Sequence, residues 1–327
     1  MTTSTDPGAG HSAAAAATGA PRFTVLTPTY NRAATLPRVY ASLLAQTSFN
    51  LEWVIVDDGS EDETEALVRR WTTEAPFPIR YFWQPNAGKP AAVNRGIQEA
   101  RGYFTLVLDS DDACVPHAIQ TFEQIWGGIP AAERPRFSGV TVHAVTPDGN
   151  LVGSRFPREQ LDAFPHDVAL RHGVRGEKWG FHRTTLLREA LYPITPGERW
   201  MPEALMWNRI SRRYLVRHVN VALRVYEPNA DGITARIRDL MLNNPTGVAT
   251  YYGELLSLDI PLRWRLGAAV RYVRYGLRLH RSPLRLVRES DAPLTTVIAL
   301  PLGAASWLLD VARRTRRRRA SGPAGGR

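Results

Sequence analysis

Phe104-Thr-Leu-Val-Leu-Asp-Ser-Asp-Asp112 reads as a buried strand that delivers acidic side chains to its carboxyl end. Phe104 to Leu108 is an uncharged, strand-prone run, and Asp109, Asp111 and Asp112 follow it. Alternate residues on an extended backbone point the same way, so Asp109 and Asp111 are expected to face one site together. Carboxylates that close raise each other's pKa unless a cation lies between them. Hard divalent ions such as Mg²⁺ or Mn²⁺ take oxygen ligands, and typically combine one or two protein carboxylates with substrate phosphates. A polar turn after a strand uses the same residue types for local reasons, so the flanking chain has to decide.

Working upstream, Arg22 to Leu26 is a short β-run that runs into Thr27-Pro-Thr-Tyr-Asn-Arg32, and Pro28 is expected to end the strand there. Thr35 is placed to cap a helix and Pro37 suits its first turn. Leu36, Val39, Tyr40, Leu43 and Leu44 recur at helical spacing. A second strand, Leu51 to Val56, ends in Asp57-Asp58-Gly59-Ser60. A helix over Glu63 to Thr72, a strand over Ile79 to Trp83 and a helix over Ala91 to Ala100 precede Phe104. Strands alternating with helices, each strand ending in polar residues, argue for a parallel α/β sheet. Ligands of such sheets bind beyond the carboxyl ends of the strands, where the loops after Leu26, Val56 and Leu108 all lie.

Four motifs stand in one order: Thr27-Pro-Thr-Tyr-Asn-Arg32, Val56-Asp-Asp-Gly-Ser60, Asn86-Ala-Gly-Lys-Pro-Ala-Ala-Val-Asn-Arg-Gly96 and Leu108-Asp-Ser-Asp-Asp112. Together they resemble the nucleotide-binding half of an inverting family 2 glycosyltransferase, from about Phe23 to Val115 and more thinly to about Asp231. The resemblance implies the α/β GT-A fold, a Rossmann-like, mostly parallel sheet flanked by helices. It also implies a nucleoside-diphosphate sugar as donor. Pro28, Thr29 and Tyr30 would line the nucleoside pocket, and Asp58, with Asp57 beside it as the second candidate, would accept hydrogen bonds from the base. Tyr30 serves equally as an aromatic cover for the sheet edge. Gly88 and Lys89 ahead of a helix suit phosphate oxygens, although a lone lysine is more often a solvated one. Asn94 is expected to tie loop to sheet. Asp111 matches the position of direct Mg²⁺ or Mn²⁺ ligation, and Asp109 that of ribose or secondary metal contact.

Inverting transfer also needs a general base beside the acceptor hydroxyl. By the same resemblance Glu203 supplies it, ahead of a helix-like run from Ala204 to Tyr214, although the family often has Glu-Asp where this chain has Glu203-Ala204. A favourable charge in a helix's first turn explains Glu203 as well, and Glu198 is the second candidate. Gly176-Glu-Lys-Trp-Gly-Phe-His-Arg183 resembles the segment under the acceptor site, with Trp179 and Gly180 as acceptor contacts. Trp179 is equally suited to stacking on a sugar and to a core. His182, Arg183 and Asp231 are weaker candidates, Asp231 within a closing segment that runs from Tyr226 to Ile233. The chain has no Gly-x-Gly-x-x-Gly, no Walker A motif and no His/Cys metal cluster.

Composition bounds the rest. The 327 residues, enough for one large or two ordinary domains, are 44% hydrophobic and 22% charged, as expected of a globular protein. Cys114 is the only cysteine, which excludes an intrachain disulfide. Residues 255–327 hold fifteen arginines, no lysine and four acidic residues, a net of +11 in a chain of net +10, so the first 254 residues are close to neutral. The basicity is therefore an appendage, suited to an anionic membrane and less to nucleic acid, which the neutral body does not favour. From Leu262, an apolar stripe of Leu262, Leu266, Ala269, Val270, Val273 and Leu277 predicts a basic amphipathic helix. Ala292 to Leu309 is uncharged but contains prolines and hydroxyls, and six arginines follow within residues 313–319. An in-plane membrane anchor is favoured over a span, with an ordinary helical subdomain as the alternative.

The expected organisation is a disordered tail over 1–21, a donor half over 22–115 and an acceptor half over 116–254. A helical extension over 255–312 and an arginine-rich tail over 313–327 complete it. Residues 1–21 lack a basic start and a strongly apolar core, against a signal peptide. The expected location is cytoplasmic, on the inner face of the cell membrane, with a sugar or lipid-linked acceptor. A sugar nucleotidyltransferase would want a Gly-rich basic loop after the first strand, which Pro28 to Arg32 is not. A non-catalytic nucleotide-sugar binder would keep the donor residues without needing Glu203.

Overall fold

The structure, a computed structural model, describes residues 21–228 and 233–320. Two compact units divide the chain: residues up to Ile194 with Met206–Ala235, and Thr195–Leu205 with the residues from Arg236 onward. The strands, all in the first unit, are β1 (Phe23–Thr29), β2 (Leu51–Asp57), β3 (Ile79–Trp83), β4 (Phe104–Val107), β5 (Ala113–Cys114), β6 (Phe137–Val145), β7 (Gln160–Ala163), β8 (Lys178–Arg183) and β9 (Leu215–Val225). Its helices are α1 (Leu36–Leu44), α2 (Thr64–Glu74), α3 (Lys89–Glu99), α4 (Ala118–Gly127), α5 (Pro165–Leu170) and α6 (Thr184–Glu189). A short helix, α7 (Ala204–Ile210), straddles the division. The remainder is α8 (Ile233–Asn243), α9 (Pro245–Leu255), α10 (Leu262–Arg278), α11 (Pro283–Arg288) and α12 (Pro293–Ala320).

The strands form one sheet in the order β3-β2-β1-β4-β8-β6-β9-β5, with β7 also on β9. Strands β1 to β4 pair in parallel, but β8 runs antiparallel to both β4 and β6, and β9 is parallel to β6. The sheet is thus mixed, where a mostly parallel one was expected. Every residue of β1 and β2 is buried, as central strands covered on both faces must be. On one side Tyr40, Trp53 and Trp71 stack, and the Trp53 indole N–H donates to Thr27 Oγ1 at 2.9 Å. Phe23, Phe104, Phe122, Trp126 and Phe181 form a second aromatic cluster.

Two local expectations are corrected. β1 continues through Pro28 to Thr29, with Pro28 opposite Val56. Leu26 O accepts from Leu108 N and Thr29 O from Asp58 N, so alternation turns the missing N–H of Pro28 to the β4 side, where pairing ends at Leu26 and Val107. No ladder bond is lost, and the extended backbone that proline imposes suits a strand. Thr35 does stand at the start of α1, yet its side chain makes no capping bond and its hydroxyl is buried without a partner.

In the second unit α10 packs against both α9 and α12. Its buried residues are Ala268, Ala269, Tyr272, Val273, Tyr275 and Gly276, while Leu262 is exposed. The expected stripe is therefore rotated. A helix covered on two sides buries its small residues, which admit close neighbours; Gly276 lies against Leu286 and Val273 against Gly303.

Candidate active site

The carboxyl ends of β1, β2 and β4 and the amino end of α3 meet along one sheet edge, by the registers Thr29 to Asp57 and Leu26 to Val107. The loop after β1 is joined to the loop after β2 by Asn31 N to Ser60 Oγ (2.8 Å), Glu61 N to Asn31 Oδ1 (2.9 Å) and Ala33 N to Asp62 Oδ2 (3.0 Å). Asn31 takes the left-handed conformation, φ 52°, which asparagine tolerates. Tyr30 is 48% exposed beside them. Thr29 is 3% exposed and its hydroxyl has no partner, which leaves a polar atom ready for a ligand.

Both carboxylates after β2 turn out to be occupied. Asp57 accepts from Ser60 N at 2.7 Å and from the Tyr81 hydroxyl at 2.6 Å, and is fully buried. Asp58 accepts from Gln84 Nε2, Ala87 N and Gly88 N at 2.7–2.9 Å. These aspartates shape the loops; the expected contact of Asp57 with a donor is not available to a side chain held this way. Asp58 fixes the approach to α3, whose first residue is Lys89 after Gly88 at φ 93°, a conformation that glycine supplies without strain.

Past β4 the backbone does not stay extended. Asp112 N donates to Asp109 O at 3.1 Å, a tight turn in which the alternation expected of a strand no longer applies. Asp109 Oδ1 lies 2.7 Å from Lys89 Nζ and its Oδ2 lies 3.4 Å from Arg224 Nη2. Burial pushes the Asp109 carboxyl up, but Lys89 and Arg224 outweigh it and hold the group below the usual carboxylate range. Arg224 also donates through Nε to Asp112 at 2.6 Å, and its Nη1 is 3.4 Å from Glu177. Arg38 donates to Asp111 O at 3.0 Å and pairs with Glu227 at 2.7 Å. The Asp111 carboxylate takes no partner among the described residues.

That donor set fits a divalent ion shared with a ligand. It offers hard oxygens, with one carboxylate unspent and another held ionised. Among the described residues no group of three or more His, Cys, Asp or Glu could hold a metal unaided, so phosphate and water oxygens would have to complete the shell.

The remaining expected residues are distributed otherwise. Trp179 is buried and donates its indole N–H to Val107 O at 2.7 Å; a ring enclosed in this core has no face for a sugar. Gly180 sits where a Cβ would run into the Val140 carbonyl of β6, so it serves strand approach, not acceptor contact. Because β8 is antiparallel to β4 with Phe104 opposite Arg183, His182 and Arg183 lie toward the edge away from Asp109. His182 stacks on Trp207 and meets Ser138 at 3.0 Å. Arg183 lies over Tyr214. Asn94 exchanges two hydrogen bonds with the Tyr192 backbone, at 2.8 and 2.9 Å, a structural tie.

In the second unit Glu203 is exposed just before α7, which ends at Ile210 and not at Tyr214. Glu198 accepts from Thr246 N and Gly247 N at 2.7 and 2.8 Å, so its carboxylate caps α9 and is spent there. Asp231 and Gly232 lie outside the described residues. Sequence reading missed Arg224, Arg38 and Glu177. The available signal was the pair of arginines, Arg217 and Arg224, inside the strand Leu215–Val225, and Glu177 within a motif already singled out.

A mixed α/β sheet with acidic and basic groups gathered at the carboxyl edge of its parallel half is a fold of GT-A type. The family model for glycosyl transferase family 2 matches residues 24–169, and the chain carries a domain of that family. An uncharacterized glycosyltransferase of Nostoc sp. is 31% identical over 181 residues, 54% of each chain. Another from Rickettsia typhi is 30% identical over 222 residues, 64% of this chain and 66% of the relative. The chain thus spans about half to two thirds of the length of these relatives. Among solved structures, S. aureus TarS 1–349 in complex with UDP-GlcNAc superposes with a TM-score of 0.55 at 15% identity, over 88% of this chain and 89% of that one. Mannosyltransferase PcManGT from Pyrobaculum calidifontis, in complex with GDP-Man and Mn²⁺, gives 0.50 at 20% identity, over 94% and 77%. At such identities the likeness is one of fold.

Proposed function

We propose that this protein is an inverting glycosyltransferase that moves a sugar from a nucleoside-diphosphate sugar to a hydroxyl of a sugar or lipid-linked acceptor. Its setting is cell-surface polysaccharide or glycolipid synthesis, in the cytoplasm at the inner face of the cell membrane. The observation that carries the reading is the strand edge, where an unspent Asp111 carboxylate, an ion-paired Asp109–Lys89 and a buried, unpartnered Thr29 hydroxyl stand in one family 2 domain. The nucleotide sugars bound to TarS and to the mannosyltransferase, and the Mn²⁺ of the latter, support such a donor and ion here.

In this mechanism Pro28, Thr29 and Tyr30 bind the nucleoside. Lys89 has three donors, so it can hold Asp109 and still reach a phosphate oxygen. Asp111 would hold Mg²⁺ or Mn²⁺, with Asp109 in support, and the ion would supply charge neutralisation for the departing diphosphate. Glu203 takes the proton of the acceptor hydroxyl as that oxygen bonds the anomeric carbon. The bond from that carbon to the diphosphate breaks on the opposite face, and its electron pair leaves with the nucleotide, so the configuration inverts.

The test is binding and turnover of UDP-, GDP- and dTDP-sugars with Mn²⁺ or Mg²⁺. Asp111→Asn should abolish metal-dependent donor binding. Glu203→Gln should keep binding and lose about 10²–10⁴-fold in turnover. Binding without turnover, even with lipid acceptors supplied, would make the chain a nucleotide-sugar binder. No binding of any sugar nucleotide would overturn the reading.

A further inference from the structure

Helix α12 is built inside out. Between Pro293 and Ala312 its exposed positions are Pro293, Leu294, Val297, Ile298, Pro301, Leu302, Ala305, Leu308, Leu309, Val311 and Ala312, and not one is polar. Leu294 is 80% exposed, Ile298 66% and Leu302 65%. Of the polar residues in the same stretch, Thr296 and Asp310 are on the covered side, and Thr295 and Ser306 are half-buried, with the Ser306 hydroxyl donating to Leu302 O at 2.8 Å. Thr296 is fully buried and bonded to Ser290 and Ala292, and buried Asp310 receives both arms of Arg274 at 2.7 Å. Exposed positions recur in pairs four apart from Pro293 to Leu302 and then at spacings of three or four through Ala305, Leu308, Leu309 and Ala312, so they form one aliphatic face along about five turns of helix. A helix facing water shows the opposite pattern, and an unbroken apolar face of this length marks an interaction surface.

We propose that this face of α12 lies flat in the interfacial region of an anionic lipid bilayer, as an in-plane anchor. Charge selects the occupant. The sequence continues directly into six arginines within residues 313–319, and residues 255–327 carry a net of +11. Acidic headgroups match that field and hydrocarbon matches the face, whereas a second copy of the chain would bring an equal positive charge to the contact. Orientation follows from the packing. Pro293–Arg313 is long and apolar enough to span a bilayer by length and composition. It is, however, packed along α10, which carries Arg263, Arg265, Arg271, Arg274 and Arg278. A crossing would draw those arginines and Asp310 into hydrocarbon, and an in-plane helix leaves them on the aqueous side. The inference deepens the membrane setting proposed above by naming the surface that meets the bilayer, and it does not depend on the transferase activity, since no sugar or nucleotide enters the argument or its test.

The experiment is cosedimentation of the full chain with vesicles of phosphatidylcholine containing about one third phosphatidylglycerol, against phosphatidylcholine alone. Binding is expected to the anionic vesicles and to weaken as salt rises. The pair Ile298→Glu and Leu302→Glu, both exposed and so harmless to packing, should lower it at least about tenfold without shifting the melting temperature. Alkaline carbonate should release the bound protein. Three results would overturn the proposal: no preference for anionic vesicles, binding unchanged in the double variant, or resistance to carbonate, which would make α12 a span. A vesicle-free dimer dispersed by the same double variant would also overturn it, by giving the face to a second copy.

Discussion

Arg224 shows how a single side chain organises the candidate site. It is buried on β9, and its guanidinium is shared among Asp109, Asp112 and Glu177. Burial pushes the Asp112 carboxyl up, to about 7, against the pull of that guanidinium, so removing the cation strands carboxylates that the core cannot solvate. Arg224→Gln is expected to lower unfolding free energy by about 3–5 kcal/mol in urea titrations, and Arg224→Lys to recover part of it. The two glutamates considered as base separate in the same way. Glu198→Ala removes the cap of α9 and should cost about 1–2 kcal/mol with donor affinity unchanged. If it instead abolishes turnover in a fully stable protein, the base is Glu198 and the role given to Glu203 is lost.

At the scale of elements, the antiparallel insertion of β8 decides what faces the site. It carries Glu177 toward the Asp109 edge and sends His182 and Arg183 to the other, which no periodicity in Gly176 to Arg183 foretells. Gly180 marks the tight approach of β8 to β6. Gly180→Ala forces the strands apart and should cost more than about 2 kcal/mol in thermal or urea unfolding. If it raised the KM for acceptor at unchanged stability, Gly180 would be an acceptor contact after all. The elements themselves were legible: α1 to α3 and β1 to β4 lie within a few residues of their expected bounds, because their apolar spacing is a local property. Their ends differ where tertiary pairing carries a strand through Pro28, or where α7 stops at Ile210.

For the molecule as a whole, pH acts through two buried imidazoles. Burial, helped by His218, drives His182 down to about 3, and burial drives His218 down to about 4. Both stay neutral in the folded chain over a range where free histidine takes up a proton, below about pH 6.5. Through these two groups the unfolded chain binds more protons there, which lowers stability as pH drops from about 6.5. The Asp112 carboxyl, pushed up to about 7, is protonated first in the folded chain and acts in the opposite direction between about pH 7 and 4. The slope reaches about 1.4 kcal/mol per pH unit for each histidine, ending near pH 4 for His218 and pH 3 for His182. The difference in urea midpoint between the native chain and His182→Gln should shift across that range by one histidine's share, with the variant losing less stability as pH falls.

What the sequence determined by itself was the order of strands and helices, the edge at which the polar loops gather, the family, and the basic appendage. Each of these rests on spacing, composition or contiguous motifs, all of them properties of neighbouring residues. Only the tertiary structure decided which carboxylates are spent. Asp57 and Asp58 are consumed by loop hydrogen bonds and Glu198 by a helix end, while Asp109 is held ionised by Lys89 and Arg224, the second of them 115 residues away. It likewise decided that α12 turns its aliphatic side outward. A charge or an apolar face acquires its role from whatever packs against it, and that partner is set by the folded chain, not by local sequence.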